Sequence, residues 1–254
     1  SSLKRNLDNS GYTKVISPTR SELDLCNRSD VETYFKINSP DIVINCAAKA
    51  GGIQGNIDDP ISFIQDNLDI QNNTIIAASK TSCKKYIFIS STCIYPAECK
   101  QPMKEEYILT NKFTKGFEPY CLAKVCGNQM LMAYKKMNML DSNTILLPNL
   151  YGPNDHYGDS SNHVIPALIE RFVNAKKNNI KQVEVWGSGN SIREFLYTED
   201  AADGIIFLME NYNDPTPINL SSSVNISIKD LAMTIKKIIG YDGNIFFNTS
   251  KPAG

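Results

Sequence analysis

Short runs of β-branched and apolar residues alternate with long amphipathic segments along most of this chain. The short runs that indicate strands are TKVIS (13–17), DIVINCAA (41–48), KYIFIS (85–90), NTILL (143–147) and VEVW (183–186). Between them, residues 29–38, 60–80 and 119–137 have the length and periodicity of helices. Several strands are apolar on both faces, as expected where helices cover both sides of a sheet. The alternation therefore predicts an α/β fold with a doubly wound, Rossmann-like parallel sheet.

The pattern becomes less regular after Tyr151, where loop residues increase and a helix begins at the capping box SIKD, Ser227–Asp230. No repeat or low-complexity linker separates the two parts. We predict a dinucleotide-binding domain over residues 1–150 and a smaller, interleaved domain over 151–254 that mainly binds substrate. The segment around 194–222 is expected to return to the first domain.

The front of the chain departs from the usual dinucleotide fold, which opens with a strand and a glycine-rich turn before the first helix. Here the opening SSLKRNLDNSGYTKVIS indicates a helix that leads into the next strand. The glycine cluster AGGIQG (50–55) has the wrong spacing for that turn and follows a later strand. We interpret it as a loop over the ligand, and we expect the first strand and its glycine turn to be missing from this chain.

The net charge and the cysteines argue against several classes of protein. A formal net charge of −1 gives no electrostatic basis for binding nucleic acid or an anionic membrane. The seven cysteines are odd in number and lack Cys-x-x-Cys spacing, which favours reduced thiols in the cytoplasm over disulfides or a zinc site. No apolar run is long enough to cross a bilayer. We therefore expect a soluble, cytoplasmic protein that needs no metal.

Polar side chains follow two of the predicted strands. KYIFIS runs into SSTCIYP (90–96), which places Ser91, Thr92 and Cys93 at the carboxyl end of a parallel strand. NTILL ends in PNLYGP (148–153) at the same edge of the sheet. Ligands of doubly wound sheets bind at this edge, so we expect the active site here.

A tyrosine and a lysine lie four positions apart near the start of a helix that Glu118 and Pro119 are expected to open. Side chains at this spacing share a helix face, and most such pairs are only surface residues. Beside the ligand edge the pair has a chemical use. The ammonium of Lys124 would lower the pKa of Tyr120, and a nearby serine would stabilise negative charge on a substrate oxygen.

The second predicted strand bears on the choice of cofactor. An acidic residue at its tip binds the ribose 2′-hydroxyl of NAD, whereas an arginine suits the 2′-phosphate of NADP. Ser17 and Pro18 occupy the tip here, and Arg20 follows. This favours NADPH, although Arg20 could also be a solvated surface residue.

The set Ser91…Tyr120-x-x-x-Lys124 resembles the extended branch of the short-chain dehydrogenase/reductase superfamily. Within that branch the chain resembles the GDP-L-fucose synthases, through AAKAGGIQGN, SSTCIYP, QPMKEE, EPYCLAK, NLYGPND, SNHVIPALIERF and VWGSGNSIREFLYTEDAA. The resemblance implies NADPH-dependent 3,5-epimerisation and 4-reduction of GDP-4-keto-6-deoxy-D-mannose to GDP-L-fucose. It also implies a homodimer that pairs the helices at 60–80 and 119–137.

The resemblance implies roles for five catalytic residues. Ser91 and Tyr120 would lie at the C4 oxygen, with Tyr120 as the proton donor and Lys124 bonded to the nicotinamide ribose. Cys93 would be the epimerisation base, with a pKa near neutrality. It lies two residues beyond Ser91, so both side chains would point to one side of an extended stretch. His163 would be the acid.

The other histidine and the other cysteines are given no catalytic role. His156 is the only other histidine and lies in the same loop as His163, but the resemblance leaves it without a role. The six cysteines other than Cys93 are interpreted as small buried hydrophobic residues.

The resemblance also implies binding residues. For the cofactor they are Arg20, Ala47, Ala48, Ile89, Ser90, Ser91, Thr92, Tyr120, Lys124, Leu147, Pro148, Asn149, Leu150 and His163. For the nucleotide part of the substrate they are Arg171, Trp186 and Arg193. Arginines chelate a diphosphate and an indole offers a flat apolar wall, although Arg171 could simply serve the polar face of its helix.

Two departures from the family pattern concern the ends of the chain. The final motif KPAG carries Ala253 where the family usually has an aspartate, and we expect the family's segment after it to be missing from this chain. Without the glycine turn, this stretch alone is expected to hold NADPH poorly.

Competing interpretations are a nucleotide-sugar 4-epimerase, a dehydratase and a catalytically silent nucleotide-sugar-binding relative. A simple 4-epimerase has no need of Cys93 with His163, and a dehydratase would carry acidic residues in SSTCIYP, which has none. The complete catalytic set disfavours a silent relative, which the missing glycine turn nevertheless keeps open.

Overall fold

The computed structural model of the protein describes residues 1–155, 157 and 163–251. In that part of the chain the helices are α1 (Ser2–Asn9), α2 (Arg28–Asn38), α3 (Ile53–Asp58), α4 (Pro60–Ser79), α5 (Glu118–Lys136), α6 (Val164–Lys177), α7 (Thr198–Asn211) and α8 (Ile228–Ile239). The strands are β1 (Ile42–Asn45), β2 (Lys85–Ser91), β3 (Ser142–Leu147), β4 (Asn149–Tyr151), β5 (Gln182–Trp186), β6 (Ile192–Tyr197), β7 (Ile218–Asn219), β8 (Asn225–Ser227) and β9 (Asn244–Asn248). Short 3₁₀ helices lie at Thr92–Ile94 and Glu105–Tyr107.

The central sheet has the strand order β1-β2-β3-β7, and every neighbouring pair in it is parallel. All six residues of β3 are buried, because helices cover both faces of the sheet. The predicted parallel α/β fold is confirmed, as are the predicted helix at the front of the chain and the strands at 41–48, 85–90, 143–147 and 183–186.

Successive side chains of β2 point to opposite faces and so build two separate cores. Tyr86 and Phe88 pack against residues of α4 and α5, among them Ile75 and Leu131. Ile87 lies on the other face, in a cluster with residues of α1 and α7. The sheet is therefore doubly wound.

The predicted strand at 13–17 is wrong. The segment is hydrogen-bonded to no strand in the described part of the chain, and β1 has its one neighbour, β2, on a single side. Val15 is partly buried and packs against the cluster that α1 and α7 share. The sequence is suited to a strand, but a strand needs a neighbour to complete its hydrogen bonds.

The remaining strands form two small sheets. In one, β6 pairs with β4 and β8, and in the other β5 pairs with β9 in parallel. Phe172 of α6 and Ile235 of α8 pack with Val185 of β5 in a core of their own. The predicted capping box is present at α8, where the Ser227 Oγ accepts the N–H of Asp230 at 3.0 Å.

Within the segment 194–222, α7 and β7 lie against the central sheet, whereas β6 belongs to a small sheet. Helix α7 contacts α1 and β3, and β7 pairs with β3. A domain boundary near residue 150 stays a prediction. Among the described residues, no helix combines the length and apolarity needed to span a membrane.

Candidate active site

Ser91 is the last residue of β2, and its hydroxyl starts the turn that carries Cys93. The Ser91 Oγ accepts the backbone N–H of Cys93 at 3.2 Å, which caps the 3₁₀ helix Thr92–Ile94. The expectation that the chain runs extended through Cys93 is therefore wrong. The cap hydrogen bond turns the backbone immediately after Ser91, and this turn, not strand alternation, places the thiol beside the hydroxyl.

Helix α5 begins at Glu118, as predicted, and carries Tyr120 and Lys124 on its first two turns. Lys124 is only 3% exposed, and its Nζ donates to the carbonyl oxygen of Ile89 at 3.0 Å. The same Nζ lies 4.5 Å from the ring centroid of Phe88 and 6.0 Å from that of Tyr120. The ammonium is thus anchored to β2 and stacked on aromatic faces.

Burial dominates the acid–base properties of this pair. It lowers the pKa of Lys124 from 10.5 to about 8, since desolvation disfavours the ammonium. Burial, followed by the Cys93 and Cys121 thiols, raises the pKa of Tyr120 above 10.0. The prediction that Lys124 lowers the pKa of Tyr120 is wrong in this geometry. Tyr120 is therefore a neutral phenol at neutral pH and a competent proton donor.

Cys93 is held from two sides. Besides the hydrogen bond from its N–H to Ser91, its carbonyl oxygen accepts the Cys121 thiol, with 2.9 Å between sulfur and oxygen. Burial raises the pKa of the Cys93 thiol, and hydrogen bonds from Ser91 and its own backbone only partly offset this. The expected pKa near neutrality is therefore wrong. Because Cys121 follows Tyr120 in the chain, the contact ties the Cys93 turn to the tyrosine helix.

The residues expected to bind a cofactor lie at the carboxyl ends of adjacent strands. Ala47 and Ala48 follow β1, residues 89–92 end β2, and residues 147–150 follow β3, with Ser91 directly opposite Leu147 in the register. A dinucleotide cofactor fits this edge. The buried Ser90 hydroxyl has no hydrogen-bond partner in the described part of the structure, and the Lys124 ammonium bonds to the carbonyl of the preceding residue, Ile89.

A second cluster lies on β5, β9 and α6. The guanidinium carbon of Arg171 is 5.2 Å from the Trp186 ring, and its Nη1 donates to the Glu184 carbonyl at 3.1 Å. Trp186 is 43% exposed, so part of its indole remains open to a ligand. Lys251 also approaches this ring, at 5.6 Å. The two cations on an exposed aromatic surface can bind an anionic, flat ligand.

Comparison with known proteins agrees with this geometry. Residues 1–224 match the family model described as "NAD dependent epimerase/dehydratase family". The "Putative GDP-L-fucose synthase 2" of Arabidopsis thaliana is 42% identical, over 100% of this chain and 77% of that protein. The chain belongs to the GDP-L-fucose synthases of this family. It is an enzyme of the nucleotide-sugar oxidoreductase/epimerase type that uses a nicotinamide cofactor.

Solved structures give the same fold. A GDP-L-fucose synthetase from Naegleria fowleri bound to NADP has a TM-score of 0.90 at 27% identity, covering 100% of this chain and 78% of that one. A GDP-6-OMe-4-keto-L-xylo-heptose reductase from C. jejuni has a TM-score of 0.93 at 32% identity, covering 99% and 83%. The similarity to a reductase as well as to synthases bears on the reaction proposed below.

Other residues expected of a GDP-L-fucose synthase lie outside the cluster around Tyr120. His163 is exposed and precedes α6 as its N-cap, without a side-chain capping bond. Arg193 lies on β6, where its Nη1 donates to the Ile192 carbonyl at 2.8 Å. Arg20 is exposed in a turn rather than after a strand. His156 and Ala253 fall outside the described residues.

All seven cysteines are free thiols, but they are not all buried. Cys121 is buried as predicted, whereas the buried-hydrophobe interpretation is wrong for Cys46 and Cys126, which are exposed. Cys46 follows β1 at the open edge of the sheet, and Cys126 lies on the outer face of α5. Among the described residues, no group of three or more histidine, cysteine or acidic side chains could hold a metal ion.

Sequence reasoning missed Lys251 and the asparagines around the loop after β1. Lys251 reaches Trp186 only because β9 pairs with β5, which no local pattern predicts. Asn45 ends β1, and its Oδ1 accepts the N–H of Ala47 at 3.0 Å. An asparagine side chain often accepts the backbone N–H of the second residue after it, so Asn45 in the predicted strand 41–48 is a recognisable turn signal in the sequence.

Proposed function

We propose that the protein converts GDP-4-keto-6-deoxy-D-mannose into GDP-L-fucose with NADPH, by epimerisation at C3 and C5 and reduction at C4. Both carbons flank the ketone, so their protons are acidified by it. One site that stabilises negative charge on the C4 oxygen can therefore serve every stage. The single observation that carries the proposal is the convergence of Ser91, Cys93 and Tyr120 at one strand end, joined through the Cys121–Cys93 contact.

The C4 oxygen would lie against the hydroxyls of Ser91 and Tyr120. A phenol whose pKa is raised by burial holds its proton at neutral pH and gives it up to a developing alkoxide. The reduced nicotinamide, when bound, supplies the hydride for C4. Lys124 would hold the ribose beside it, since its ammonium is already fixed on the Ile89 carbonyl. The exposed Arg20 is the residue that favours NADPH over NADH.

Epimerisation would use Cys93 as base and His163 as acid. The raised pKa of the Cys93 thiol means that the thiolate is scarce at neutral pH, but each thiolate formed is a stronger base toward a carbon acid. His163 precedes α6, the helix that carries Arg171. The proposal requires the sugar ring of a nucleotide sugar held through Arg171 and Trp186 to lie between this helix and the carboxyl end of β2.

The nucleotide end of the substrate would be held by Arg171, Trp186 and Arg193. Arg171 and Trp186 already contact each other, and the indole is open on the surface. Arginines bind the diphosphate with charge-assisted hydrogen bonds, and the indole contributes apolar area. This assignment explains why a protein of net charge −1 can bind a polyanionic ligand, because the positive charge is local.

A second candidate is a 4-reductase of a GDP-sugar that performs no epimerisation. The similarity to the reductase from C. jejuni favours it. The two candidates share Ser91, Tyr120 and Lys124 and differ only in whether Cys93 and His163 exchange protons with carbon.

The test is one incubation in heavy water with NADPH and GDP-4-keto-6-deoxymannose, with the product read by mass spectrometry and NMR. Deuterium at both C3 and C5 of a reduced GDP-fucose would support the epimerase-reductase. A reduced sugar without deuterium would establish the plain reductase and remove the roles given to Cys93 and His163. Oxidation of NADH in place of NADPH would overturn the cofactor choice.

We further propose a homodimer that pairs α4 and α5 with their copies. Ile61 on α4 and Leu122 on α5 support it, because they are 66% and 43% exposed. Burying such side chains between copies is favourable. Light scattering after gel filtration should give twice the chain mass, and Leu122→Glu should shift it toward the monomer. A monomeric wild-type protein would overturn this proposal without touching the catalytic one.

A further inference from the structure

The loop at residues 46–52 follows β1 and contains Ala47 and Ala48, which the proposed function places against the cofactor. Two glycines, Gly51 and Gly52, end this loop, so its backbone has little stiffness of its own. Its conformation must be imposed by neighbours. The structure shows which side chains impose it.

Asn67, on α4, bonds to both backbone groups of one loop residue. Its Oδ1 accepts the N–H of Lys49 at 3.0 Å, and its Nδ2 donates to the carbonyl of Lys49 at 2.9 Å. The same Nδ2 donates to the Phe63 carbonyl at 2.7 Å, within its own helix. Asn67 is 2% exposed, so water cannot replace these bonds. The paired bonds fix the peptide planes on both sides of Lys49.

Two further contacts act on the same loop. Asn45 holds the N–H of Ala47 and donates to the Tyr86 hydroxyl at 2.8 Å, which ties the loop to β2. The Lys49 ammonium pairs with Asp59 at 2.8 Å. Asn45 thus fixes the loop before Ala48 and Asn67 fixes it after Ala48. The backbone of Ala47 and Ala48 is therefore held between two buried asparagine side chains, at the carboxyl end of β1.

We propose that Asn67 is a positioning residue for the nicotinamide cofactor, acting by clamping the backbone of Lys49 and so presenting Ala47 and Ala48. The proposal rests on the proposed function only in placing the cofactor against these two alanines. It predicts that Asn67 governs cofactor affinity more than turnover, because it touches no reacting atom.

The test compares Asn67→Ser with Asn143→Ser in the intact protein. Asn143 is a matched control, since it is 1% exposed and its Nδ2 donates to one backbone carbonyl, that of Tyr212, at 2.7 Å. It lies near the amino end of β3, at the edge opposite the cofactor. Both variants remove a buried amide and should lose comparable thermal stability.

NADPH binding is measured by fluorescence titration, separately from turnover. We expect Asn67→Ser to weaken NADPH binding roughly tenfold while kcat at saturating NADPH changes less than about threefold. Asn143→Ser should leave the Kd unchanged. Equal Kd values in all three proteins, or equal weakening in both variants, would overturn the proposal.

Asn67→Asp serves as a second variant if the serine variant does not fold. It keeps an acceptor for the Lys49 N–H and loses the donor to the Lys49 carbonyl, so its affinity should also fall. Failure of the proposed reaction is seen separately. A wild-type protein that binds NADPH but yields no GDP-fucose would overturn the proposed reaction and leave the clamp standing.

Discussion

The ammonium of Lys124 lies 6.0 Å from the centroid of the Tyr120 ring and donates its hydrogen bond to the Ile89 carbonyl of β2. The two residues thus meet through the face of the ring, and the lysine is fixed by the strand rather than by the phenol. Burial sets the pKa of each in the direction of its neutral form. In the proposed reaction this pair would donate a proton from Tyr120 and hold a hydroxyl of the cofactor through Lys124.

Lys124→Met should remove one pH dependence of stability. The folded pKa of Lys124 is about 8 and its ordinary value is 10.5. Between these values the unfolded chain binds the proton and the folded protein does not, so the free energy of unfolding rises with pH in that window. The wild-type protein should therefore gain up to roughly 3 kcal/mol relative to the variant between pH 8 and 10.5. Urea denaturation at several pH values measures the difference, and parallel curves would contradict it.

Tyr120→Phe should reduce kcat by about 10²–10⁴-fold, because the ring and its contact with Lys124 persist while the proton donor is lost. The Kd for NADPH should change little. Stopped-flow oxidation of NADPH under single-turnover conditions measures the effect. Tyr95→Phe is the control, since Tyr95 is a buried phenol that donates to Asn219 at 2.9 Å outside the catalytic set. Similar losses in both variants would indicate a structural effect alone.

Cys93→Ser should separate the two halves of the reaction. A serine hydroxyl is a much weaker acid than a thiol, so proton exchange at C3 and C5 should fall by at least about 10²-fold. Reduction of a substrate that already has the epimerised configuration should continue. Deuterium incorporation read by NMR measures the first step, and NADPH oxidation the second. Cys126→Ser, at an exposed cysteine of α5, should alter neither. Retained deuterium exchange in Cys93→Ser would assign the base to another residue.

Trp186→Ala should raise the KM for the GDP-sugar by roughly tenfold and leave kcat nearly unchanged, because the indole is proposed to bind the distant nucleotide and not the reacting carbons. Trp186→Phe should recover part of the affinity, since a phenyl ring still offers an aromatic face to Arg171. Initial-rate kinetics with varied GDP-sugar measure both. A loss of kcat at unchanged KM would place Trp186 closer to the chemistry than the proposal does.

Whether a strand could be predicted from the sequence depended on its length and on whether helices cover both of its faces. β1, β2 and β3 are apolar on both faces and were found from the sequence, since a strand between two helical layers needs no polar side. The short β7 and β8 carry only two and three residues and were missed. Residues 13–17 have strand composition without a neighbour to pair with. The composition of a segment indicates whether its side chains suit a strand, but not whether another strand lies beside it to form hydrogen bonds.

The positions of the candidate site residues could be predicted from the sequence, but their pKa values could not. The rule for parallel strands placed Ser91 and Cys93 at the ligand edge, and helical spacing placed Lys124 beside Tyr120. The pKa directions of Tyr120 and Cys93 were wrong, because they depend on how deeply α5 packs on β2. Sequence spacing predicts which ionisable groups lie close together, but not how far burial removes them from water.

Gly127→Ala should destabilise the protein by about 1–3 kcal/mol, although alanine favours a helix. Gly127 lies where α5 crosses α4, and an added Cβ would stand 2.7 Å from the Gln71 Oε1 and 2.8 Å from the Phe88 ring. Gln71 is itself held by its bond to the Ala123 carbonyl at 2.6 Å, so it cannot simply swing away. Gly55→Ala is the control, because its Cβ would meet Phe63 at an ordinary 3.5 Å. Urea denaturation should show a loss in the first variant and a change within about 1 kcal/mol in the second. An equally small loss of stability in both variants would mean that α4 and α5 move apart easily to admit the methyl group. The packing that keeps Lys124 of α5 buried would then be weaker than the structure indicates.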